Sequence, residues 1–125
     1  MSDDLRRELE AAYAAYRQAL RSKDAEAFLA AAILPPQLPR EMFMEMFEEF
    51  ADDELTSGPD LADRQLVTIK TAGDDSAGYY AVWRPEDDPK AARLAMTVFR
   101  RTPDGWKVAV GGGTIGFAAA PGADL

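Results

Sequence analysis

Two strand-like runs, a Gly-bearing turn and a third run fill Gly78 to Val110, and they leave little choice of architecture. From Arg93 to Arg101 the chain alternates Leu94, Met96 and Val98 with Arg93, Ala95 and Thr97. Pro103-Asp104-Gly105 interrupts this run, after which Trp106, Val108 and Val110 resume the alternation. Period-two patterning on both sides of an Asp-Gly turn predicts a β-hairpin. The expected helix-facing row is Tyr80, Val82, Leu94, Met96, Val98, Trp106, Val108 and Val110. Tyr79, Trp83 and Phe99 are then expected on the other face, beside Leu66, Thr68, Ala81, Ala95, Thr97 and Ala109.

Upstream the period changes to that of helices. Leu5, Leu9, Ala12, Tyr13, Tyr16 and Leu20 recur at three- and four-residue steps, predicting a helix from about Asp3 to Leu20. A second, shorter helix follows, capped by Ser22 or Asp24 and ending before Pro35-Pro36, with Ala27, Phe28 and Ala31 inward. Pro39 opens a third helix, Arg40 to about Phe50, with Phe43, Met46, Phe47 and Phe50 as its apolar face, widened by Met42. A strand from Arg64 to Thr71, with Val67 and Ile69 inward, and one from Gly78 to Arg84 precede the hairpin. Helices first and an antiparallel meander after define the α+β class. The 125 residues are expected to form one domain, 1–125, with its core at about 5–112 and 113–125 as a loose tail.

The residue inventory excludes much chemistry. The chain has neither histidine nor cysteine, and asparagine is also absent. Ser-His-Asp, Cys-His and His-carboxylate mechanisms, disulfides and thiolate metal sites are therefore ruled out. The net charge of −8 is uneven: residues 1–63 carry 6 Lys/Arg against 15 Asp/Glu, and residues 64–125 carry 8 against 7. Such a balance argues against nucleic acid and against an anionic membrane surface. No apolar run is long enough to cross a bilayer, and Met1-Ser-Asp-Asp is acidic where a signal peptide would be basic. A cytoplasmic protein is expected.

The order of a long helix, a second helix carrying Lys23-Asp-Ala-Glu-Ala-Phe28, a third helix, and a meander with Gly73-Asp-Asp-Ser-Ala77 and Asp104-Gly-Trp-Lys-Val108 resembles the nuclear transport factor 2-like (cystatin-like cone) superfamily. The resemblance covers about residues 5–112 and is greatest to the superfamily's small members. It implies three helices packed in the concave face of a curved, mostly antiparallel sheet, with an apolar pocket between them. Ketosteroid isomerases and polyketide cyclases are similar in fold and depend on Asp, Tyr or His inside the cone. The segment that would carry a catalytic carboxylate in those enzymes, Ile33-Leu-Pro-Pro-Gln-Leu-Pro39, has no acid or base.

Four candidate sites remain. Tyr13, Tyr16, Phe47, Tyr80, Met96 and Trp106 are expected to line a pocket for a small apolar ligand, the alternative being a filled core. Tyr79, Trp83 and Phe99 are expected to make a homodimer through the outer sheet face, the alternative being a helix or the tail curled over it. Glu45, Glu48, Glu49, Asp52, Asp53 and Glu54 read as the wet face of a helix; helical spacing spreads their carboxylates along a surface, so no metal is expected. Gly111-Gly-Gly-Thr-Ile-Gly116 matches G-x-G-x-x-G but is followed by neither a helix nor an acidic partner, so no cofactor is expected. The leading expectation is a non-catalytic domain that binds a small ligand or a protein. One alternative is an isomerase- or cyclase-like enzyme pairing Tyr16 or Tyr80 with an acid such as Asp63 or Asp75. The other is an interaction module docking a basic partner on the acidic third helix.

Overall fold

The computed structural model describes residues 3–56 and 58–110. Three helices come first: α1 (Asp3–Arg21), α2 (Ala25–Ala31) and α3 (Arg40–Leu55). Asp3 and Asp4 sit in the first turn of α1 and Arg21 in its last, each on the side the helix dipole favours. Asp24 caps α2, its carboxylate accepting from the Ala27 N–H at 3.1 Å. Thr56 closes α3, its hydroxyl donating to the Asp53 carbonyl at 2.8 Å. Beyond Phe50 no Pro or Gly interrupts the chain before Thr56, so α3 runs one turn further than its apolar pattern predicts.

The strands are β1 (Ala32–Ile33), β2 (Gln65–Ala72), β3 (Ser76–Trp83), β4 (Arg93–Thr102) and β5 (Gly105–Ala109). They form one five-stranded sheet in the order β1-β5-β4-β3-β2. Every pairing is antiparallel except that of β1 with β5. The two-residue β1, which the sequence pattern does not predict, ties the exit of α2 to the sheet edge. The hairpin closes where expected: Thr102 pairs with Gly105, whose φ of 115° suits only glycine.

The core lies between the helices and one face of this curved sheet. Phe28 is its centre, with ring centroids of Tyr16, Phe43, Phe47 and Phe50 all within 5.6 Å. The three helices and the mostly antiparallel sheet make the α+β cone that the resemblance implies.

The face assignment of the sheet is corrected on two strands. Tyr79 and Phe99, expected outside, are fully buried in the core against the helices. Cross-strand pairs fix the rest: Phe99 faces Ala77, Tyr79 faces Thr97, Ala81 faces Ala95 and Trp83 faces Arg93. The helix-facing row of β3 and β4 is therefore the odd-numbered one, and Tyr80, Val82, Leu94, Met96 and Val98 lie on the opposite face. On β5, Val108 pairs with Phe99 and Trp106 with Arg101, so the even row faces the helices there, as expected. The cause is that β3 is apolar on both faces, so alternation alone does not choose between its rows. The row that enters the core combines the large Tyr79 and Phe99 with the small Ala77 and Ala81. Tyr79, Trp83 and Phe99 are thereby removed as outer-face dimer contacts.

Two smaller corrections share this logic. The β2–β3 register shifts between Leu66 and Thr68, so Leu66 and Ile69 both pack on the core while Val67 is turned out, 40% exposed. Met46 and Met42, expected on the apolar face of α3, are 48% and 52% exposed, because Phe43, Phe47, Phe50 and Ala51 fill the contact with the core. Gly111–Gly116 and the tail expected at 113–125 lie outside the described residues.

Candidate functional site

One stripe of α1 carries Tyr13, Tyr16 and Arg17, the last two three and four residues after the first, and all three are buried. The extra turn of α3 brings Glu54 opposite them, and the chain then doubles back through Gly58, Pro59 and Asp60 to Arg64. The end of β3 supplies Trp83, and β4 lays Ala95 and Thr97 beneath. Between these elements lies a pocket of about 320 Å³ lined by Tyr13, Tyr16, Glu54, Arg64, Trp83 and Thr97, among others. An adjoining cleft of about 840 Å³ runs from Leu55 and Thr56 to Arg84 and Arg93, and Trp83 is common to both.

The polar groups of the pocket are held from behind. The Tyr16 hydroxyl donates to Glu54 Oε2 at 3.1 Å. Burial first, and then the Glu54 charge, push the Tyr16 phenol far above its ordinary value, so it stays a donor. Arg17, 3% exposed, donates to the Glu54 carbonyl at 3.1 Å and the Gly58 carbonyl at 2.6 Å, with Asp60 3.3 Å from its Nε. Arg21 reaches the same Asp60 carboxylate at 2.6 Å. Arg64, 7% exposed, donates through Nε to the Pro59 carbonyl at 2.9 Å and through Nη2 to the Tyr13 hydroxyl at 3.2 Å. Its guanidinium lies over the Trp83 ring, 4.5 Å from the centroid, and burial pulls its pKa down from the usual arginine value. Arg17 also donates to the Tyr13 hydroxyl at 3.4 Å.

Of the six residues expected in the pocket, Tyr13, Tyr16 and Met96 border it, the last from a strand position whose side-chain row faces the other way. Phe47 packs instead on Phe28, at 5.4 Å between centroids. Tyr80 is buried on the opposite sheet face. Trp106 turns to α1, its indole N–H donating to Glu8 Oε2 at 3.2 Å, outside the pocket. Trp83, expected at a dimer interface, is a pocket wall. Asp63 and Asp75 are exposed and do not line it. The carboxylate that does, Glu54, sat in the acidic stripe read as solvated; it alone of that stripe turns to the pocket. The strand pattern gives Arg64 no role beyond opening β2, and the apolar stripe of α1 leaves out Arg17. An arginine four residues after Tyr13 on an otherwise apolar stripe was the available signal. Among the described residues no group of three or more carboxylates is placed to hold a metal ion, and no helix is long and apolar enough to cross a membrane.

No family model and no curated protein matches this chain. Among solved structures, the chain is similar to a candidate dehydratase of the nuclear transport factor 2-like family from Streptomyces avermitilis. The two are 17% identical, with a TM-score of 0.47, over 86% of this chain and 94% of that one.

Proposed function

We propose that this chain is a small-molecule-binding domain whose ligand sits in the cone between α1, the last turn of α3 and the floor of β4. The observation that supports this reading is convergence. Tyr13, Tyr16, Glu54 and Arg64 come from three separate segments and direct polar atoms to one space of about 320 Å³ walled by Trp83 and the two tyrosine rings. Ligand sites are mostly apolar hollows with a few placed polar groups, and about 300 Å³ is the lower end of their range, which selects a small ligand. The test is a thermal-shift screen against wild type and Ala95→Leu, a variant that fills the floor. A true ligand raises the wild-type melting temperature, since saturation at 100 Kd stabilises by about 2.7 kcal/mol. The same compound leaves Ala95→Leu unmoved; a compound that stabilises both alike binds elsewhere.

A second reading is favoured by one hydrogen bond. A carboxylate with a tyrosine hydroxyl 3.1 Å away on a pocket wall is a pair suited to proton transfer, with Glu54 as base and Tyr16 as the group that orients it. In that case a bound carbonyl compound exchanges an acidic C–H for deuterium in D₂O, and Glu54→Gln slows the exchange about 100-fold or more without abolishing binding. Binding with no exchange leaves the domain non-catalytic.

A further inference from the structure

Buried guanidiniums are nearly always paired with a carboxylate, because leaving the charge uncompensated is costly. Arg17 obeys this rule through Asp60. Arg64 does not: among the described residues no carboxylate lies within 4 Å of it, although it is only 7% exposed. Two of its five N–H groups are used, on the Pro59 carbonyl and the Tyr13 hydroxyl. The Trp83 and Tyr13 ring faces, 4.5 and 5.6 Å from its Cζ, offset part of the cost, but a ring face takes no hydrogen bond in the guanidinium plane. The Tyr13 hydroxyl is a further donor on the pocket wall. It accepts from both Arg64 and Arg17, and among the described residues its own proton has no acceptor.

Resting on the ligand-binding reading above, we propose that Arg64 and Tyr13 form an anion seat in the pocket and that the ligand is a small organic monocarboxylate. The charged lining supports a single carboxylate: Arg64 and Glu54 are the charged residues of the pocket wall, Glu54 already accepts from Tyr16, and Arg64 is the group left to receive an anion. A planar fork with free N–H groups on one edge matches a carboxylate in two-point contact. The seat is built in advance. Gly58 has φ 135°, and a Cβ there would lie 3.0 Å from Arg64 Nη2 and 2.9 Å from the Trp83 ring, so the loop backbone closes directly on the guanidinium. The apolar part of the acid would then lie along Trp83, opposite Glu54.

The test uses matched probe pairs, benzoate with benzamide and cyclohexanecarboxylate with its amide, titrated into the full chain with amide chemical shifts as the readout. The expected result is that a carboxylate shifts the residues around Tyr13, Arg64 and Ala95 and binds at least about 30-fold more tightly than its amide, as for other desolvated charge-assisted contacts. Arg64→Gln erases that preference. Tyr13→Phe, which keeps the ring and removes only the hydroxyl, weakens carboxylate binding several-fold and serves if Arg64→Gln fails to fold. Amides that bind as well as the acids overturn the anion seat and leave the pocket standing. Neither member of any pair binding, where neutral compounds from the thermal screen do, also overturns the seat. A preference for carboxylates that survives both substitutions places the anion elsewhere and overturns it too.

Discussion

Single residues do several jobs at once in this fold, and Gly58 is the plainest. Its φ of 135° is closed to residues with a Cβ, and its carbonyl satisfies the buried Arg17. Gly58→Ala is therefore expected to cost about 1–3 kcal/mol in urea unfolding, from backbone strain and the push against Trp83. Tyr79 gives a pH signature. Burial, and then the Glu10 carboxylate to which it donates, push its phenol up to about 12 from 10.0. The folded state thus holds this proton more tightly than the unfolded chain. The stabilisation is complete below the unfolded value and is lost as the pH climbs through the folded one. Urea midpoints measured between about pH 9 and 11.5 should fall with rising pH, and more steeply in wild type than in Tyr79→Phe.

At the scale of elements, α2 is held by one side chain. A helix of seven residues has no stability of its own, and Phe28 is its fully buried anchor, touching four other rings. Phe28→Ala should cost about 3–5 kcal/mol by chemical denaturation. The elements themselves were legible in the sequence, because helical and strand periods differ and Asp24, Pro39 and Gly105 mark ends with known chemistry. Which face of β3 and β4 turns inward was not legible. Ser76 to Trp83 is apolar on both faces, and alternation on β4 favours Leu94, Met96 and Val98, whereas the row that enters the core is the one carrying Tyr79 and Phe99 with Ala77 and Ala81. The pocket was half legible for a related reason. Tyr13 and Tyr16 announce themselves on an apolar stripe. Glu54 becomes a pocket residue only because α3 outruns its hydrophobic pattern by a turn, and Arg64 only because a bulge and a 3-10 turn at Leu61–Asp63 reposition the start of β2.

Taken whole, the molecule couples its parts through one layer: the Phe28 cluster rests on α1, and α1 rests on the sheet through Tyr79 and Phe99. With a single shared core, far-ultraviolet circular dichroism and calorimetry should report one coincident transition, with calorimetric and van't Hoff enthalpies equal. Two transitions would mean that the helices and the sheet fold as separate units.

Trp83 walls both the inner pocket and the outer cleft, with Arg64 stacked on its ring, whereas Trp106 is engaged with Glu8 on α1. These are the two tryptophans of the chain, so Trp106→Phe leaves a lone emitter beside the ligand position. The molecule thereby carries its own optical gauge of occupancy: indole emission responds to neighbouring charge, and any solute that settles against Arg64 will alter its intensity without an added dye.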